Sequence, residues 1–73
     1  MPDRTVNVTA TQVEVLEYRA HGLTTSQIAT AMGSSLDTVK FHLANAARIL
    51  GAENSTHAVV LALKRGYLKL EDL

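Results

Sequence analysis

The chain has 73 residues, near the lower limit for a domain that folds unaided, so it holds one domain and no doubly wound sheet, barrel or interdomain cleft. Apolar residues make up 47% of it, and seven basic residues balance seven acidic ones. This composition excludes a disordered tail and a strongly basic nucleic-acid coat, while the lack of cysteine excludes a disulfide framework, a thiolate metal site and a cysteine nucleophile.

Residues 1–7 read as an N-terminal arm, 8–68 as the domain and 69–73 as a C-terminal tail. The first element opens at Thr9, whose hydroxyl can cap the Gln12 amide while the Gln12 side chain reaches back. Val13, Leu16 and Ala20 then share one helical face, Glu14 and Glu17 point away, and Gly22 ends a helix expected over 10–21. Thr24 and Gln27 repeat the box ahead of Ile28, Ala29 and Met32, and Gly33 stops this second helix. The third helix starts from Ser34 or Ser35, with Asp37 complementing the dipole of its first turn. Its buried stripe is Val39, Leu43, Ala46, Ala47 and Leu50, and Gly51 closes it. A fourth runs from near Asn54 to about Arg65, with Lys64 and Arg65 at the end that favours positive charge. The only proline, Pro2, lies outside every segment, so the economical reading is an all-α bundle of four short helices.

The second and third helices are joined by so few residues that they must cross steeply, as in a helix-turn-helix. Such a crossing needs a small residue at the contact, a residue tolerating positive φ in the turn, and an aliphatic lock from inside. Ala29, Gly33 and Val39 stand at those three places. The bland alternative, on spacing alone, is a plain helical hairpin.

The runs Thr9-x-x-x-x-Glu14-Val15-Leu16, Ala20-x-Gly22-Leu23-Thr24, Gln27-Ile28-Ala29, Ser35-x-x-Thr38-Val39-Lys40-Phe41-His42-Leu43, Asn45-Ala46, Leu50-Gly51 and Ala58-Val59 keep their internal spacing over 8–68. Together they resemble the LuxR/GerE (FixJ-type) DNA-binding domain. Phe41-His42-Leu43-x-Asn45-Ala46 is most similar to the branch that carries an acyl-homoserine-lactone sensor, although the length resembles the stand-alone members. The resemblance implies a LuxR C-terminal-domain-like helix-turn-helix bundle whose recognition helix, about 35–50, lies in the major groove of double-stranded DNA. It implies base-facing positions at Lys40, Phe41 and Ala44, with Lys40 donating to guanine and Phe41 touching a thymine methyl. It implies phosphate contacts from Thr24, Thr25, Ser26, Thr38 and Arg48, types that suit anions at helix starts.

The chain departs from the family pattern at Thr11-Gln12, at Ala44, at Ile49 and near Asn54-Ser55, where charged residues are common. Between Gly22 and Ala58 only Lys40 and Arg48 are basic, against Asp37 and Glu53. Few neutralised phosphates mean a shallow salt slope, so a lone protomer is expected to bind DNA poorly. On a helical wheel Ala58, Val59, Ala62 and Leu63 face the core of helix four, leaving Val60 and Leu61 on an outer arc flanked by His57 and Lys64. The resemblance implies pairing through this helix, so these four residues are the expected homodimer face; the bland alternative has Tyr67, Leu68, Leu70 and Leu73 folding over the outer arc.

Catalysis is not expected, because His42 with Ser34, Ser35 and Asp37 nearby has no pocket to exclude water. His21, His42 and His57 show no metal spacing, and no cofactor is expected. The longest apolar run, 58–63, falls far short of the ~20 residues that span a bilayer. The opening Met1-Pro2-Asp3-Arg4 lacks a signal-peptide core, and a cytoplasmic protein is expected, nucleoid-associated by the resemblance. Two functions follow: a sequence-specific transcriptional regulator, or a module that pairs with another regulator through helix four and modulates it with little DNA binding of its own.

Overall fold

The computed structural model describes residues 8–69 and residue 71. These residues form four helices: α1 (Ala10–Ala20), α2 (Thr25–Met32), α3 (Leu36–Leu50) and α4 (Ser55–Lys64). The arm and positions 70, 72 and 73, including the expected cover from Leu70 and Leu73, lie outside the described residues.

Local chemistry sets where each helix begins. Thr9 accepts from the Gln12 amide at 3.2 Å, and the Thr9 amide donates to Gln12 Oε1 at 3.0 Å. Thr24 and Gln27 form the same reciprocal pair at 3.2 and 2.8 Å. Ser35 caps α3 through the Thr38 amide, and Asn54 caps α4 through the His57 amide. The helices end by one device as well: the amide after each terminal glycine reaches back five residues, as in Ser34 to the Ala29 carbonyl at 2.9 Å and Ala52 to Ala47 at 2.8 Å. His21 and Arg65, expected as the last residues of α1 and α4, stand one position outside as C-caps.

Helices this short are marginal alone, so packing must hold them. α1 packs against α3 and α4, and α3 also packs against α2 and α4. Val15, Leu16, Ile28 and Val39 are the largest fully buried side chains, and Leu43, Ala46, Leu50, Ala58, Ala62 and Leu68 complete the core. The expected stripes of α2 and α3 lie there, with Met32 and Ala47 half-buried at its edge.

Two wheels come out rotated from the sequence reading. α1 buries Val15 and Gln12, whereas Val13 and Ala20 are only half-buried. It lies between α3 and α4, so the covered arc is wider than one stripe. In α4 the buried centre is Ala58 and Ala62, while Val59 and Leu63 are half-buried. At about 100° per residue, Leu61 is as close to that centre on one side as Val59 is on the other. Leu61 accordingly packs half-buried against the core, correcting its placement on an outer arc, and leaves Val60 alone as a large exposed apolar residue of α4. Tyr67 and Leu68 also pack onto the core.

Leu16→Ala removes a fully buried side chain and is expected to cost about 2–5 kcal/mol. At about 0.05–0.15 kcal/mol per residue, a 73-residue domain holds about 4–11 kcal/mol in all. Urea unfolding should therefore show a large fall in midpoint; a loss under about 1 kcal/mol would contradict the packing described.

Candidate nucleic-acid interface

The joint between α2 and α3 decides what α3 can present. Gly33 has φ +66° and ψ +31°, a left-handed conformation that costs a residue with a Cβ about 1–2 kcal/mol. Ser35 follows in extended backbone as the N-cap of α3, so the chain passes from one helix to the next within three residues. Ala29 is 7% exposed, Ile28 and Val39 are fully buried, and the three anchor the joint from inside. The small, glycine and aliphatic positions read from the sequence are thus all used as expected.

With Val39, Leu43 and Ala46 facing inward, Lys40, Phe41, Ala44 and Arg48 fall on the opposite, exposed face of α3. Phe41 is 64% exposed, so its ring stands in solvent on this face. Its ring centroid lies 5.9 Å from that of His42, tilted at 60°. Arg48 is oriented by a 2.6 Å bond from Nη2 to Asn45 Oδ1. Thr38 is exposed, and its hydroxyl oxygen accepts from the Ser35 hydroxyl at 2.8 Å.

The start of α2 is less uniform than the sequence implied. Thr24 and Ser26 are exposed, the former occupied as a cap. Thr25 is half-buried, and its Oγ1 accepts from Arg19 Nη2 at 2.6 Å. Arg19 Nη1 also donates to the Leu23 carbonyl at 3.1 Å. The Arg19 fork therefore ties the end of α1 to the start of α2, a role the sequence reading missed. Its one signal was a long cation three residues before Gly22, a position equally suited to an ordinary favourable charge at a helix C-terminus.

An open concavity of about 610 Å³ lies beside this face. Arg19 and Thr25 line it from α1 and α2, Lys40, Ala44 and Arg48 from α3, and Glu53, Asn54 and Ser55 from the α3–α4 connection. On the expected dimer face, Val60 is 44% exposed and Lys64 is exposed. His57 is half-buried, and its Nδ1 accepts from the Glu53 amide at 3.1 Å, so that imidazole is turned to its own helix start.

A bundle whose second and third helices meet at this tight joint, with the outer face of the third left open, defines the helix-turn-helix class of regulatory domain. Residues 6–62 match the family described as bacterial regulatory proteins, luxR family, and the chain belongs to that family. It is 41% identical over 61 residues to the transcriptional activator protein VanR of Vibrio anguillarum, covering 84% of this chain and 25% of that one. It is 41% identical over 69 residues to the quorum sensing-dependent transcriptional regulator RpaR of Rhodopseudomonas palustris, covering 94% of this chain and 28% of the relative. The chain thus spans about a quarter of the length of these curated relatives. Among solved structures it superposes on the transcription factor GerE with a TM-score of 0.80 at 26% identity, over 85% of this chain and 92% of that one. The response regulator ChrA of a heme-sensing two-component system gives 0.83 at 29% identity, over 93% of this chain and 33% of that one. The family is one of transcription regulators, and no described helix is long and apolar enough to cross a membrane.

Gly33→Ala should lower stability by about 1–2 kcal/mol through backbone strain alone, since open space surrounds the position a Cβ would take. Thermal unfolding with retained far-ultraviolet dichroism checks it; an unchanged midpoint would mean the turn relaxes out of the left-handed region.

Proposed function

We propose that this chain is a sequence-specific regulator of transcription that inserts α3 into the major groove of double-stranded DNA. The observation that carries the reading is the division of α3: one face locked into the core through Val39, Leu43 and Ala46, the other holding Lys40, Phe41 and Ala44 in solvent. Lys40 donates to guanine O6 and N7, Phe41 covers a thymine methyl, and Ala44 lets the helix approach closely. Thr24, Ser26, Thr38 and Arg48 hold phosphates on either side, and Thr25 joins them from the wall of the concavity. DNA contact also gives the exposed Phe41 ring an apolar surface to cover it.

In the same reading two copies pair through α4 across a two-fold axis and set two recognition helices about one DNA turn apart. Val60 sits at the centre of that contact, with Leu61 and His57 at its edge and Lys64 at its rim. Two domains acting together offset the small number of cations that each one brings to the phosphates. A cytoplasmic, nucleoid-associated location accompanies this function. The competing reading, a module that modulates another regulator through α4, predicts no sequence preference on DNA.

Selection of bound sites from random duplexes decides between them: a two-fold symmetric motif is expected, and no enrichment at low salt would sink the DNA reading. Lys40→Ala should then cost about 1–3 kcal/mol on the selected site and relax its preference at one base position. Val60→Asp should shift sedimentation equilibrium toward the monomer without unfolding the domain, because Val60 is exposed; a wild-type chain that stays monomeric at high concentration would remove the pairing.

A further inference from the structure

Counting along the sequence, α3 and its flanks bring two cations to the interface. The fold brings a third, because Arg19 from α1 lines the same concavity as Lys40 and Arg48, with Glu53 as the carboxylate among the lining residues. Resting on the DNA-binding reading above, we propose that Arg19 is a backbone-phosphate contact for duplex DNA. It joins Lys40 and Arg48 in one cationic concavity that receives the sugar–phosphate strand beside the recognition helix.

Three features of Arg19 support this. A guanidinium offers five N–H donors, and only two bonds are made, to the Leu23 carbonyl and Thr25 Oγ1. Nε is buried with no partner, and among the described residues no carboxylate pairs with the group. A half-buried cation without a counter-ion is under-satisfied in charge, and a phosphate supplies that charge, its oxygens meeting the Nη hydrogens that Leu23 and Thr25 leave free rather than the buried Nε. The two bonds also hold the fork in one orientation, so docking an anion restricts few further rotamers. They place the guanidinium directly beside Thr25, a hydroxyl at the start of α2, so the contact expected of Thr25 alone becomes a shared one. An acidic protein segment would satisfy the same charges. DNA is favoured because the α3 wall of the concavity, Lys40 and Ala44, continues onto the face that carries Phe41.

The test is the salt dependence of duplex binding by the wild type, Arg19→Gln and Arg19→Lys, on the selected site and on random sequence. Each neutralised phosphate contributes about 0.9 to the slope of log affinity against log salt. Arg19→Gln should lose about that much of the slope, weakening both duplexes by the same factor, while Arg19→Lys keeps it. The Arg19 Nε–H resonance of the wild type provides a readout independent of any variant's folding, and should shift when duplex is added. A slope unchanged in Arg19→Gln, with that resonance unmoved by DNA, overturns the proposal and leaves Arg19 as a structural tie between α1 and α2. A wild type that binds no duplex at any salt overturns the DNA function itself and this contact with it, whereas binding with an unchanged slope and an unmoved resonance overturns only the role of Arg19.

Discussion

The rest of the molecule depends on the burial of Leu16, Ile28 and Val39 in one cluster. Each comes from a different helix, and each of those helices has too few hydrogen bonds to persist alone. Their mutual burial converts three marginal segments into one rigid joint. Because Val39, Leu43 and Ala46 are fixed inward, Phe41 and Ala44 fall on the far side of the helix and Lys40 on its flank, all three exposed. The interface is thus a consequence of core packing rather than a separate feature grafted onto it.

The electrostatics follow a related logic. A net charge of zero suggests a surface indifferent to polyanions, yet charge acts locally, and folding redistributes it. Arg19 leaves the C-terminal turn of α1 and enters a concavity walled by α3. Both carboxylates of α1, Glu14 and Glu17, lie outside that lining. What reaches the lining is three cations against one carboxylate, a ratio the composition conceals. The relatives this chain resembles carry much longer polypeptides around the same domain, so the domain's own surface is the part of the interaction that these residues determine.

α4 shows how much a modest error in phase matters. A reading centred between Ala58 and Leu63 leaves Val60 and Leu61 together as an apolar strip. Centring the arc on Ala58 and Ala62 instead moves Leu61 into the edge of the core and leaves Val60 with solvent on its own. Any pairing through this helix therefore begins from one exposed valine and the half-buried residues around it, a contact that needs two-fold repetition to reach a useful area. His57 adds little to that surface, since its ring is engaged with the Glu53 amide.

The number of helices, their order and, to within a residue, their ends were legible in the sequence. They depend on contacts three to five residues apart: Thr9 with Gln12, Thr24 with Gln27, Ser35 with Thr38, and the left-handed Gly33 that only glycine adopts cheaply. The outward face of α3 was legible too, because its inward stripe is so regular. The partnership of Arg19 with Thr25, the depth of Val15 and the inward turn of Leu61 belonged to the tertiary structure. Each depends on which neighbouring helix covers a given arc, and periodicity along one helix says that an arc is covered but not how wide it is or what lies across from it.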